Sequence, residues 1–490
     1  MKIAIIAAEA VPFAKVGGLA DVTGALPKAL RRLGHDVRLV IPKYQRIRDE
    51  QFGLTTIVPR LPVPMNSHHE ESCIKEGRIP LAGERDIPVY LVENERYFGR
   101  EGVYGYPDDG ERFVFFSRAA LELLSAIGWL PDVVHCHDWH TAVLPNWLKT
   151  VYRDDARYHH MATLLTIHNL AYQGVFGHRV LEVAGLEPFD FLVPRQDDDG
   201  EQVDLLARGL HFADAISTVS ETHAREILTE EFGQGMDGLL RTRQDRIFGI
   251  LNGLDEEEFD PMVDGRVAAV FGPDSTSRRT ENKLALQRDA NLPIEARIPL
   301  IGMVSRLATQ KGFDLLAEIL EPLLHQPVQL VILGTGEQRF HDLLLAAQKR
   351  HPNLAVFLTF STRLAQKIYA GSDMFLMPSR FEPCGLGQLV AMRYGSVPIV
   401  RRTGGLADTV QDFDAAAGEG SGFVFDSCNA MDLFAAIIRA VETYKHRDVW
   451  RRLQRRNMQR DFSWPTSAAR YAAVYERAIA FHRADARRAG

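Results

Sequence analysis

Cysteine is scarce: four residues in 490, at positions 73, 136, 384 and 428, with no CxxC pair among them. That excludes a zinc ribbon, a thioredoxin-like redox motif and a disulfide scaffold, and it fits a reducing compartment. Long apolar runs are missing too. The run at 3–8 stops at Glu9 and is too short for a signal-peptide core. Nothing approaches the length of a membrane span, so no membrane partner is expected and a cytoplasmic location is. Positive charge is not in excess: 57 Lys+Arg against 64 Asp+Glu give a net charge of −7. A mildly acidic chain is a poor nucleic-acid binder, and an anionic ligand would need a local basic site. No short-period repeat or low-complexity tract occurs. What is present is ordinary for a globular protein, 46% hydrophobic and 25% charged residues. The length suits two large α/β domains.

KIAIIAA at 2–8 barely alternates, as a strand buried on both faces of a parallel sheet does. An amphipathic stretch at 19–33, Gly34 and a second strand at 37–42 complete a βαβ unit. Apolar runs at 87–92, 132–136, 162–167 and 213–219 continue the series, with a helical pattern at 111–127. The rhythm restarts after a polar stretch at 255–296, with runs at 299–306, 329–334, 354–360, 374–379, 397–400 and 422–425. The expectation is an α/β fold of two doubly wound, Rossmann-like halves, 1–250 and 251–464, with a hinge near 248–256. The helical, basic stretch 447–487 is interrupted at Trp464-Pro465, and 465–490 is expected to pack back on the first half. Its runs RRLQRR and RADARR read as solvated helix faces.

Open α/β sheets bind ligands beyond the carboxyl ends of their strands, and two such sheets suggest a cleft between them. After the first strand comes EAVPFAKVGGLADV, where Lys15, Gly17 and Gly18 precede a helix. It fits an anion site or an ordinary βα turn. It is not GxGxxG, which disfavours a dinucleotide-dependent oxidoreductase. HCHDWH at 135–140 invites a metal reading, but it straddles a strand end and a helix start, where Asp138 can cap, and lacks a partner such as HExxH. His168 and Asn169 end the 162–167 strand; position leaves substrate contact and a structural role both open. In the second half, Arg306 and Lys311 flank a helix start and read as a diphosphate clamp. Phe360 could stack on a base or belong to the core. Glu382 stands at a strand end, with following N–H groups expected to face it, and could accept sugar hydroxyls. Cys384 lacks the His/Asn partners of a reactive thiol. Thr403-Gly404-Gly405 is another turn suited to phosphate or sugar. Asp412-Phe413-Asp414 and Asp197-Asp198-Asp199-Gly200 read as acidic loops rather than metal sites.

Seven segments together carry a resemblance: KVGGLADV at 15–22, HDWH at 137–140, TIHNLAYQG at 166–174, NGLD at 252–255, SRLATQKG at 305–312, SRFEPCGLGQ at 379–388 and TGGLADTV at 403–410. In order and spacing they resemble the bacterial glycogen synthases and plant starch synthases, over nearly the whole chain. The resemblance implies a GT-B fold, with the acceptor on the N-terminal half and the nucleotide sugar on the C-terminal half. It implies retaining transfer of glucose from ADP-glucose to the non-reducing end of an α-1,4-glucan such as glycogen. No cofactor and no metal is expected.

Carried over by position, Lys15 and Gly18 resemble the loop near the phosphates and sugar. Asp138 and His168, with Asn169 and Asn252 beside them, resemble the residues that place the glucosyl group and acceptor. Arg306 and Lys311 resemble the phosphate clamp, and Glu382 the carboxylate that orients the donor sugar, with Cys384, Gly385 and Leu386 as its neighbours. Thr403 and Gly404 resemble contacts to the distal phosphate, and Phe360 stands near the adenine. Three positions depart from the family pattern: Val16 where Thr is common, Phe360 where Tyr is frequent, and Val390 where an E-x7-E pair would need a second acid. The other readings are an epimerase or phosphorylase sharing the fold, and a non-catalytic glucan-binding protein.

Overall fold

The computed structural model describes residues 1–66, 68–189, 195–197 and 200–489. The chain forms two compact units, Met1–Gly253 with Trp464–Gly490, and Leu254–Ser463.

In unit 1 the strands are β1 (Lys2–Ile6), β2 (Asp36–Pro42), β3 (Thr55–Met65), β4 (His68–Ile79), β5 (Ile87–Glu93), β6 (Val133–His137), β7 (Ala162–Ile167), β8 (Val175–Gly177), β9 (Arg195–Asp197), β10 (Gly200–Asp204), β11 (Ala215–Thr218) and β12 (Ile247–Gly249). Nine of them form one sheet in the order β12-β11-β7-β6-β1-β2-β5-β4-β3. From β12 to β5 every pairing is parallel. The last two strands are an antiparallel addition that the parallel expectation omits. Its sequence conceals it: β3 carries Pro59, Pro62 and Pro64, and β4 is HHEESCIKEGRI, largely without alternation. Proline is tolerated there because β3 is an edge strand. β8, β10 and β9 form a small separate antiparallel sheet, also unanticipated.

The C-terminal helix Trp464–Ala489 belongs to this unit. The break lies at 459–463, and Trp464-Pro465 opens the helix rather than interrupting one, since proline suits a first turn. Buried Asp214 receives Lys149 and lies 3.4 Å from His482 of this helix, while Arg246 pairs with Asp485 at 2.7 Å. In the preceding helix, Arg447–Met458, the arginines of RRLQRR are solvated as expected.

Unit 2 holds β13 (Leu300–Val304), β14 (Gln329–Leu333), β15 (Leu354–Phe357), β16 (Met374–Met377), β17 (Val397–Arg401) and β18 (Phe423–Phe425). They form a fully parallel sheet in the order β15-β14-β13-β16-β17-β18. Both units therefore share the doubly wound order, reversing direction at β1/β6 in unit 1 and at β13/β16 in unit 2. The cores are apolar, because strands covered by helices on both faces need apolar side chains on both.

One buried charge ties unit 2 together. Lys283 Nζ donates to Asp373 (2.7 Å), Tyr444 (2.8 Å) and the carbonyls of Ala296 and Ile298 (2.9 and 2.6 Å). Lys283→Ala strands Asp373 without its partner and should destabilise unit 2 by about 3–5 kcal/mol in denaturant unfolding. A loss below about 1 kcal/mol would contradict that role. No helix among the described residues is long and apolar enough to cross a membrane.

Candidate active site

In unit 2 the switch point lies between β13 and β16. Beyond β13 the chain runs through Arg306 into a short turn, Thr309–Lys311, and the helix Phe313–Leu324. Beyond β16 it runs through 378–386 into the helix Gly387–Arg393. The two loops meet in an ion pair: Lys311 Nζ donates to Glu382 Oε2 at 2.6 Å, and Ser379 Oγ donates to the same oxygen at 3.0 Å. Glu382 is thus held by a cation and a hydroxyl, not by the N–H groups that follow it. Its backbone carbonyl instead accepts from Gly405 N–H at 3.1 Å. That approach requires glycine: Gly404 has φ +43°, and a Cβ there would lie 2.1 Å from the Glu382 carbonyl. On the other side Gly312, at φ +76°, lets the backbone pass Pro378, whose carbonyl a Cβ would meet at 2.0 Å.

Gln388 donates to the carbonyls of Cys384 (3.1 Å) and Gly385 (2.9 Å), and so locks the turn ahead of Leu386. Cys384 and Thr403 are buried. Arg306 is exposed, its guanidinium bonded to Gln310 at 3.1 Å. Phe360 lies past the end of β15 and is 83% exposed, so it is no part of the core. Arg401, not anticipated from the sequence, is buried and donates to the carbonyls of Ser379 (3.0 Å) and Arg380, bracing the Glu382 loop. A strand-end arginine carries no sequence signal of that task. Asp412 accepts from Val424 N–H and pairs with Arg439, both at 2.8 Å, so it is structural. Residues 198 and 199 of the other acidic run lie outside the described residues.

In unit 1 the site residues follow β1, β6 and β7. Lys15 to Gly18 are exposed, and Lys15 pairs with Asp21 at 2.6 Å. Two N–H groups of this loop are already taken: Glu9, 2% exposed, accepts from Val16 N–H and from Gly17 N–H at 3.3 Å. Sequence reasoning missed Glu9, reading it only as the end of an apolar run. Asp138 adopts φ 53° and ψ −172°, a backbone region that costs an L-residue about 1–3 kcal/mol. It does not cap the turn after it; its carboxylate accepts from His168 N–H at 2.7 Å. His168 Nε2 lies 2.9 Å from His137 Nδ1. Asn169 accepts from Ala171 N–H at 3.1 Å. Asn252 is buried, and its Oδ1 has no hydrogen-bond partner among the described residues.

Burial, reinforced by Glu9, pushes the Asp138 carboxyl up to about 7 against the pull of the His168 and Asn169 N–H groups. Burial also pushes Glu9 up to about 7, against the Val16 and Gly17 N–H groups. Burial takes His168 down to about 3, so it is neutral at physiological pH. Among the described residues no group of three or more His, Cys, Asp or Glu is placed to hold a metal ion.

Glu9 gives a pH test. Its folded value of about 7 exceeds the ordinary 4.5, so its ionisation opposes folding. The penalty is absent below about pH 4.5, grows up to about pH 7 and then levels off. Glu9→Gln removes it and should gain up to roughly 3 kcal/mol over the parent protein between pH 5 and pH 8. Denaturant midpoints at the two pH values measure this; a stability difference independent of pH would contradict it.

Residues 2–242 match the starch synthase catalytic domain family, and residues 287–456 match glycosyl transferases group 1. A glycogen synthase from Desulforudis audaxviator is 45% identical, covering 98% of this chain and 97% of the relative. One from Moorella thermoacetica is also 45% identical, covering 99% and 98%. The catalytic domain of starch synthase IV from Arabidopsis thaliana, solved bound to ADP and acarbose, superposes with a TM-score of 0.89 at 34% identity, covering 98% of this chain and 99% of that one. With relatives at this identity along its whole length, and a GT-B architecture shared with the starch synthase IV catalytic domain, the chain belongs to the glycogen and starch synthase family of glycosyltransferases.

Proposed function

We propose that the protein transfers glucose from ADP-glucose to the non-reducing end of an α-1,4-glucan, with retention of configuration and without a metal ion or cofactor. The observation that carries this reading is the Lys311–Glu382 pair at the unit 2 switch point, with the exposed Arg306 on the same loop after β13. Two cations on that loop suit a diphosphate, and a carboxylate past the neighbouring strand suits the hydroxyls of the attached sugar. The starch synthase IV structure, which holds ADP and the oligosaccharide-like acarbose, supports the same ligand pair.

In the proposed reaction the bond from glucose C1 to the phosphate oxygen breaks, and its electron pair leaves with the diphosphate. The acceptor hydroxyl attacks C1 from the same face and passes its proton to that phosphate oxygen. No second carboxylate is assigned as a nucleophile, which favours this route over double displacement. Arg306 and Lys311 stabilise the leaving diphosphate, and Glu382 orients the sugar. Phe360 stacks on the adenine, and Thr403 and Gly404 meet the distal phosphate. In unit 1, Asp138, His168, Asn169 and Asn252 are assigned to the glucosyl group and acceptor.

The test is incorporation of labelled glucose into glycogen, with ADP-glucose and UDP-glucose in parallel and a chelator present. The expected result is α-1,4-linked product from ADP-glucose. Incorporation from UDP-glucose alone would reverse the donor assignment. No incorporation from either, by a folded protein that binds glucan, would favour a binding protein.

A further inference from the structure

Three histidines of unit 1 form a row from the interior to the candidate site. His135 and His137 alternate along β6 and so lie on one face of it, with ring centroids 4.1 Å apart. His137 stacks in turn on His168, at 5.2 Å between centroids, with the 2.9 Å contact from Nδ1 to Nε2. The inner end is pinned. His135 Nδ1 meets the Tyr475 hydroxyl of the C-terminal helix at 2.8 Å, and its Nε2 meets the Thr166 hydroxyl at 2.7 Å. Thr166 is bonded to Ser217 at 2.6 Å. His135 and His137 are fully buried and His168 is half-buried. Burial lowers all three from the ordinary histidine range, so the rings are neutral.

A contact between two neutral imidazoles needs one N–H and one lone pair. The unsatisfied atom of the row decides which ring donates. His137 Nε2 is buried with no hydrogen-bond partner among the described residues. If His168 donated, His137 would carry its proton on Nε2 and bury an unpaired N–H. If His137 donates, Nε2 is a bare acceptor, and buried acceptors without a partner are the better tolerated of the two. The proton of the contact therefore belongs to His137 Nδ1. His168 then carries its own proton on Nδ1.

We propose that His137 is a positioning residue that fixes His168 as its Nδ1–H tautomer, so that His168 presents a hydrogen-bond donor to a substrate hydroxyl oxygen. This rests on the reading that His168 meets the glucosyl group or the acceptor. The backbone of His168 is held separately by Asp138, so ring orientation and main-chain position are set by different groups. The requirement at position 137 is a donor at the place of Nδ1, which the side-chain amide of asparagine reproduces and leucine does not.

Two measurements test this. Nitrogen-15 spectra of the histidine-labelled full chain, with His168 assigned through His168→Gln, read its tautomer without any turnover. The expected pattern is a protonated Nδ1 and a bare Nε2, and a protonated Nε2 would overturn the proposal. Kinetics of glucan transfer then compare His137→Leu with His137→Asn. The expected result is a fall in kcat of about 10²-fold in His137→Leu, with the donor KM changed by less than about twofold, and recovery of most of kcat in His137→Asn. Equal kcat for the two variants, or full activity in His137→Leu, would refute it. If His137→Leu does not fold, the spectra and His137→Asn still decide. A parent protein that transfers no glucose would remove the functional reading, while the tautomer assignment would stand or fall on the spectra alone.

Discussion

Lys311→Ala is expected to lower kcat by about 10²–10³-fold, the largest loss for any single residue of the site. In the proposed reaction the charge that Lys311 meets develops only as the diphosphate departs, so its removal should act on kcat more than on donor KM. The ion pair adds a second consequence. Lys311 and Glu382 are 2.6 Å apart, so each is the other's nearest opposite charge. Without Lys311, the buried Glu382 keeps only the Ser379 hydroxyl among these partners, and its proposed hold on the sugar should weaken too. The losses in Lys311→Ala and Glu382→Gln should therefore not add. The double variant should lie within about tenfold of the worse single one. Steady-state rates of labelled-glucose transfer measure this. Near-normal turnover in Lys311→Ala would remove it from the clamp, and strictly additive losses would show that the pair does not act as a unit.

Asp138→Asn should combine a loss of activity with a gain in stability. The amide oxygen can still accept from His168 N–H, and asparagine is isosteric with aspartate, so the local fold is kept. Only the charge is lost. If Asp138 meets the glucosyl group as proposed, its carboxylate stabilises the positive charge that develops at C1, and neutralising it should lower kcat by about 10²-fold. The same charge is a burden to the fold. The folded value of about 7 stands above the ordinary 3.8, so ionised Asp138 destabilises unit 1. That penalty is absent below about pH 3.8, accumulates up to about pH 7 and persists above it. Asp138→Asn should hence be more stable than the parent protein at pH 8 and nearly equal to it at pH 4. Transfer assays and denaturant unfolding at both pH values check the two halves. Stability lost together with activity at pH 8 would make Asp138 a structural residue.

Much of this site was legible before the fold was known. Buried parallel strands declare themselves by unbroken apolar runs, and the residues just past their ends are where a doubly wound sheet binds ligands. That rule leads to the loops that hold Lys15, Asp138, His168, Arg306, Lys311, Glu382 and Thr403, and the family resemblance singles out these residues within them. The hairpin β3–β4 escaped because its prolines and charges suit an edge strand and break the pattern by which strands are recognised. Glu9 and Arg401 escaped for another reason: each looks like the polar end of a strand, and each works through backbone groups of another segment.

The sequence by itself determined the two α/β halves, the return of the last helix to the first of them, the family, and the residues that stand at the carboxyl ends of strands. These follow from periodicity and short motifs, which are local properties of the chain. The tertiary structure alone decided which charge answers which. Lys311 meets Glu382 across 71 positions, Asp138 meets the His168 N–H across 30, and Glu9 takes two N–H groups of a loop that looked open to an anion. Coulomb attraction and desolvation depend on distance and burial in space. No spacing along the chain encodes either, so the protonation of Glu9, Asp138 and the histidine row exists only once the fold has buried them.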